Sequence, residues 1–243
     1  MKPLLVLAAF PVVLMGWASC SHSGTGHAAL PDPRAVDKSV PEYKNPFHPS
    51  TYAHFVARKD YRKTYDVYKD DTLLNRQPKK SRKIFVCLDE QRGQYLVDGL
   101  VAMDFPLSSG VKAYPTKTGD YAVISKKEDH TSNLYGKMYD AEGKCINYNA
   151  ESTDPIPEGG RFDGSPMPYW QRLTNAGLAR HVGKVRRHPV SHGCVRLPRN
   201  VAEILYRQTS IGTPVTIQKT PLPVPEAQKI PPAQQQESEG RKQ

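Results

Sequence analysis

The sequence predicts a mainly β domain with one clear helix, spanning about residues 80–219. Three observations carry that reading. Short apolar runs separated by turn residues begin at Arg82. Asp98-Gly99 is a two-residue hairpin signal, because a type I′ turn needs positive φ at both central positions. Only one stretch of that region, about 200–209, carries a helical apolar stripe.

In chain order, Ile84–Leu88 is the first predicted strand; it runs into Asp89-Glu90, and Arg92-Gly93 reads as the turn that follows. Tyr95–Val97 resumes the sheet, Asp98-Gly99 reverses it, and Val101–Leu107 continues the meander. Tyr121–Ile124 is a further strand. The helix at about 200–209 takes Asn200 as its cap, with Glu203 three residues on and Val201, Ile204 and Leu205 as the stripe. Thr213–Gln218, with Val215 and Ile217 alternating, is the last strand. About 140 residues suffice for a sizeable core.

The flanks differ in texture. The chain has 243 residues, 38% hydrophobic, with 22 prolines and a net charge of +10. Such a composition excludes a polytopic membrane protein, since each span needs ~20 mostly apolar residues. Residues 1–19 read as a signal peptide: Lys2, an apolar run from Pro3 to about Trp17, then small residues. Ala18-Ser19-Cys20 resembles the lipobox of bacterial lipoproteins, which implies Cys20 as a lipidated mature N-terminus; Trp17 departs from the usual pattern, and cleavage there without a lipid is the plainer alternative. Either way the expected place of work is outside the cytoplasm, in the periplasm or cell envelope. Residues 20–79 read as a Pro/Tyr-rich tether, partly disordered, with Tyr61, Tyr65 and Tyr68 at a spacing that permits a helix. Residues 220–243 read as a Pro/Gln-rich disordered tail.

Four cysteines exclude a disulfide-dense scaffold. Cys87 lies in an apolar run and reads as core, a bridge to Cys145 being the alternative. Cys194 is different. It lies in the stretch 178–202, LARHVGKVRRHPVSHGCVRLPRNVA, which holds six Lys or Arg, three histidines and no acid. A free thiol is only a few per cent ionised at pH 7. Lowering its pKa by about two units, worth about 2.7 kcal/mol, makes thiolate the majority species. A neighbouring imidazolium and guanidinium groups have the right sign, so Cys194 is a candidate thiolate nucleophile. Gly193 allows close backbone approach, and nearby N–H groups could face an oxyanion.

Ser191-His192-Gly193-Cys194-Val195-Arg196-Leu197 resembles the signature S-H-G-C-[IV]-R-[LM] of the L,D-transpeptidase (YkuD) catalytic domain family, with His181 thirteen residues upstream. Gly110–Gly119 is similar to that family's G-x-x-x-x-P-T-P-x-G turn, and Ser132–Gly136 and Met167–Leu173 are like segments of one of its branches. The resemblance implies a mixed-sheet β-sandwich with a helix after the active-site loop. It implies Cys194 as nucleophile and His181 as its base, and Arg196, Ser191, His192 and Gly193 as residues that shape the site. Tyr169 and Trp170 are implied to contact substrate. The implied reaction is acyl transfer on peptidoglycan stem tetrapeptides through a thioester, giving 3→3 crosslinks, with no metal or organic cofactor. Water as acceptor gives an L,D-carboxypeptidase instead, a wall protein's lysine gives an anchoring enzyme, and an inactive wall-binding module is the third alternative. Where relatives often have His-Gly-Gly or His-Ala-Gly followed by small residues and an aromatic, this chain has His181-Val182-Gly183 followed by Lys184, Arg186, Arg187 and His188, so substrate preference is where it is expected to differ.

Among unrelated readings, a zinc site from His181, His188, His192 and Cys194 fits no common ligand spacing. A sortase would cast His130 as base, but its cysteine motif does not fit. The positive charge suits anionic partners, wall polymer and lipid headgroups among them; nucleic acid is not an expected partner of an exported chain.

Overall fold

The computed structural model describes residues 32–35, 38, 44–77 and 81–229. The expected signal peptide and Cys20 lie outside the described residues.

Three sheets organise the molecule. The largest has six strands in the order β1 (Tyr68–Lys69), β4 (Leu100–Pro106), β3 (Arg92–Val97), β2 (Arg82–Cys87), β13 (Pro214–Gln218), β5 (Gly119–Ala122). It is mixed, because β13 runs parallel to β2 and every other pairing is antiparallel. The second has β12 (Val195–Leu197), β11 (Ala179–Val182), β10 (Trp170–Arg172) and β6 (Ser125–Lys127), with β11 and β12 parallel. Between β6 and β10 the chain makes an excursion that forms the third sheet, β8 (Cys145–Glu151), β7 (Thr131–Tyr139), β9 (Arg161–Pro166).

The main core lies where the first sheet meets the second and the helix α3 (Arg199–Gln208). Ile84, Val86, Tyr95, Met103, Phe105, Val215 and Ile217 pack there with Val195, Leu197, Val201 and Leu205. Fully burying each such side chain stabilises the fold by roughly 1.5–3 kcal/mol.

The Asp98-Gly99 hairpin forms as expected, with φ of 51° and 79° and Val97 opposite Leu100. Two local readings are corrected. Arg92-Gly93 is not a turn but the start of β3. The reversal falls earlier, after Cys87, with Gln91 at φ 48°. Gly93 is needed in the strand because the Phe105 ring crosses it, 2.4 Å from where a Cβ would sit. Asn200 does not cap α3 either. The helix starts at Arg199 after Pro198, with no side-chain cap, and Ala202 N–H closes the first turn onto Pro198 O at 2.9 Å. Proline's fixed φ pre-sets that entry.

The flanks also fold onto the first sheet. The stretch 52–75 forms α1 (Tyr52–Ala57), a 3-10 turn (Tyr61–Lys63), β1 and α2 (Asp71–Asn75). Tyr61 and Tyr68 therefore belong to different elements, and Tyr65 is exposed. Tyr52, Phe55, Val56 and Tyr61 build a second core with Leu96 and Val101. After β13, Leu222 and Val224 are buried, and the Gln228 amide bridges the backbone of Val101, donating at 3.1 Å and accepting at 2.7 Å. A few apolar anchors plus hydrogen bonds to the first sheet hold these polar segments where their overall composition does not.

Candidate active site

The loop between β11 and β12 ends on Cys194 and joins the strand that carries His181 to the strand that carries Arg196. Its two strands are parallel, with His181 opposite Arg196 and Arg180 opposite Val195. Side chains alternate faces along a strand. Val195 and Leu197 enter the core, and Arg180 is buried against Gln171 and Thr209. His181 and Arg196 therefore share the opposite face, and Cys194, two residues before Arg196, shares its parity.

Cys194 Sγ donates to Gly177 O at 3.6 Å and receives the Ala179 N–H. It thus lies against the entry to β11, two residues from His181. His181 is 6% exposed, and its Nδ1 is 2.8 Å from Val182 O. A carbonyl only accepts, so Nδ1 carries the proton and Nε2 presents a lone pair. Burial, opposed only by that carbonyl, lowers the imidazole pKa to about 4, with Arg196 and His130 adding to the fall. The thiol moves the other way: burial pushes Cys194 above its ordinary 9.0, against weaker opposing pulls from Ala179 N–H and Arg196. Both shifts work against the expected thiolate–imidazolium pair. Of the charges counted in the sequence, Lys184, Arg186 and His188 point to solvent, so desolvation wins.

The Cys194 loop is braced from the segment after β4. Ser191 Oγ donates to Cys194 O at 2.5 Å and accepts from Gly193 N–H at 3.2 Å. The Gly193 N–H is therefore taken up inside the loop. Ser191 main chain bonds to Ser109 O and Val111 N–H, and Arg196 main chain exchanges two hydrogen bonds with Ser108. The Thr116 hydroxyl donates to Gly193 O at 2.6 Å and accepts from Gly110 N–H at 2.8 Å. Gly110 and Gly193 touch so closely that a Cβ on Gly110 would sit 2.8 Å from Gly193 Cα and 2.0 Å from Tyr114 O. Gly193 itself is at φ 109°.

Above this floor, His192 is exposed, its ring stacked on Tyr135 at 4.3 Å and tilted against Tyr114 at 4.8 Å. Tyr135 belongs to β7, so the third sheet reaches over the loop, and it is electrostatically coupled to Cys194. Tyr114, Thr116 and Tyr135 were not singled out from the sequence; aromatic residues in polar surroundings beside a glycine-rich turn were the available signal. Trp170 is half-buried against the His130 ring at 4.2 Å, and His130 couples to His181. Tyr169, at φ 55°, packs instead on Tyr206 of α3 and the main core. The structure brings Trp170 to the histidine side of the site and turns Tyr169 toward the helix. Among the described residues no three His, Cys, Asp or Glu side chains are grouped as metal ligands would be. Cys87 and Cys145 are both free thiols, Cys87 buried with its Sγ donating to Lys219 O.

A free thiol and an unprotonated imidazole on one face of a parallel strand pair are the parts with which cysteine enzymes transfer acyl groups. Residues 81–217, just over half of the chain, match the YkuD family, the L,D-transpeptidase catalytic domain, and the chain belongs to that family. The probable L,D-transpeptidase 3 of Mycobacterium tuberculosis is 31% identical over 121 residues, 47% of this chain and 38% of that protein. The chain thus spans well under half the length of the curated relative it matches. Among solved structures, an L,D-transpeptidase from Mycobacterium smegmatis is 22% identical, covering 57% of this chain and 58% of that one, with a TM-score of 0.44. L,D-transpeptidase 3 from Mycobacterium tuberculosis is 24% identical, covering 57% and 61%, with a TM-score of 0.42.

Proposed function

We propose that this chain is a cysteine L,D-transpeptidase acting on peptidoglycan outside the cytoplasm. The reading is supported by the Nδ1 contact of His181 with Val182 O, which frees Nε2 to act as a base, and by Cys194 Sγ lying against the entry to the same strand. In this reading Nε2 takes the thiol proton as Sγ bonds to the carbonyl carbon of the diamino acid in a stem tetrapeptide. The tetrahedral oxyanion collapses, the C–N bond to the terminal D-alanine breaks, and the imidazolium returns its proton to the leaving amine. An amine of a second stem then attacks the thioester, loses a proton to His181, and expels the thiol to give a 3→3 crosslink. The half-buried Arg196 guanidinium on the same face favours the anionic intermediate.

Mass spectrometry after incubation with a carbapenem should show one acyl adduct, on Cys194, and none on Cys194→Ala. Muropeptide analysis with tetrapeptide-rich substrate should then give 3→3 dimers. Tripeptide monomers would assign the carboxypeptidase instead, and an unmodified thiol with unchanged muropeptides would leave only a wall-binding module.

A further inference from the structure

The segment 52–66 precedes the region shared with the family, yet it is wired into the site. Its anchor is Arg92, fully buried, whose Nε pairs with Asp104 at 2.6 Å. The Arg92 guanidinium also donates to Tyr61 O, Thr64 O and Asp66 O at 3.4, 3.2 and 2.9 Å, while Tyr52 Oη donates to Asp104 at 2.7 Å. One more cation reaches the same carbonyl. Arg187, between His181 and Cys194 in the chain, donates to Thr64 O through Nη1 and to Glu90 O through Nη2 at 3.0 Å.

The loop is built to turn that one residue inward. Lys184, Arg186 and His188 are exposed, whereas Arg187 is half-buried at φ 59°, a left-handed conformation a non-glycine residue rarely adopts. The N–H groups of Arg186 and Arg187 both donate to Ser108 Oγ, at 2.8 and 3.1 Å. Ser108 is the residue whose main chain pairs with Arg196. Two guanidinium groups meeting at one carbonyl repel; the buried Asp104 and Glu90 carboxylates offset this, Glu90 being itself paired with Arg62 at 3.0 Å.

We propose that Arg187 is a positioning residue whose fork onto Thr64 O and Glu90 O ties the loop that joins His181 to Cys194 to the segment 52–66, making that segment a working part of the active site. The inference rests on the transpeptidase reading for its kinetic consequence but not for the contact itself. A planar guanidinium presents Nη1 and Nη2 to the two carbonyls in a fixed fork, whereas an ammonium must bond both from a single nitrogen.

The test compares the full chain with Arg187→Ala, Arg187→Gly and Arg187→Lys. Glycine accepts the left-handed backbone without strain, so Arg187→Gly removes the fork while keeping the fold. Carbapenem acylation of Cys194, followed by mass against concentration, should show the limiting rate of the Gly and Ala variants reduced roughly ten- to a hundredfold, with little change in half-saturation. Arg187→Lys should recover part of the loss, and Arg187→Gly should fall modestly in unfolding temperature while remaining fully folded at the assay temperature. Hydrogen exchange of the 183–190 amides should speed up in Arg187→Gly. Parental limiting rate and parental exchange in Arg187→Gly would overturn the proposal. If the parent is not acylated at all, the transpeptidase reading fails, and the exchange measurement alone decides whether the fork holds the loop.

Discussion

Protonation of His181 gives the sharpest check on the site. Its imidazole is buried and held at about 4, against 6.5 for the free side chain. The neutral form is favoured in the folded protein, so the associated stability is complete above pH 6.5. It is lost as pH falls from 6.5 toward 4, where the unfolded chain binds a proton that the folded one resists. The integrated loss by pH 4 is about 3 kcal/mol, at 1.36 kcal/mol for each pH unit between the two values. Urea unfolding at pH 7 and pH 4, on the parent and on His181→Gln, isolates this term from the other titrating groups. The parent should lose about 3 kcal/mol more than the variant over that interval. Acylation by a carbapenem should keep its rate down to an acidic limb near pH 4, since the base stays unprotonated until then. A limb at pH 6–7, together with equal losses in parent and variant, would refute the buried, carbonyl-locked imidazole.

Two further perturbations probe the braces. Thr116→Val removes the hydroxyl between Gly110 N–H and Gly193 O, leaving both groups unpaired; about 1–3 kcal/mol for each buried group left unsatisfied is expected in thermal or urea unfolding, with slower Cys194 acylation. Unchanged acylation would show that the Gly193 carbonyl needs no such support. Arg92→Met strands the Asp104 carboxylate in the core and strips a donor from three carbonyls of the segment 61–66, a loss of about 3–5 kcal/mol; a urea measurement giving under about 1 kcal/mol would sink the hub.

Much of the scaffold was legible because local and tertiary demands agree there. Asp98-Gly99 can hardly be anything but a tight hairpin, and the Val215/Ile217 alternation matches a strand with one buried face. Arg92-Gly93 misled because glycine marks turns by composition, whereas here the Phe105 ring and the Asp104 carboxylate decide. The third sheet was invisible. Leu134, Ile146 and Tyr148 are exposed on it and its ladders shift register, so no clean period of two survives in β7 and β8. In the candidate site, the motif singles out Cys194 and His181, and also Ser191, whose hydroxyl braces the loop. The thiol's protonation state does not, because a count of nearby cations is blind to which of them face water and to the cost of burying the sulfur.

That protonation state shapes the chemistry. Transferring a proton from the Cys194 thiol to the His181 imidazole is uphill, because burial opens a gap between their pKa values, raising the first and lowering the second to about 4. A turnover of ~10 per second corresponds to a barrier of about 16 kcal/mol, so the ion pair can still be a fleeting species on the path. Arg196 does not narrow the gap, because a fixed positive charge lowers both groups, favouring thiolate while disfavouring imidazolium. Its benefit falls on species with net negative charge, hence on a tetrahedral oxyanion. The contributions that do bring the two groups together are neutral dipoles: Ala179 N–H stabilises the thiolate and Val182 C=O stabilises the imidazolium. Both come from the β11 backbone on either side of His181. The strand that places the base therefore also sets its proton affinity relative to the sulfur, which is why the geometry of β11 matters more to attack than the number of cations around the loop.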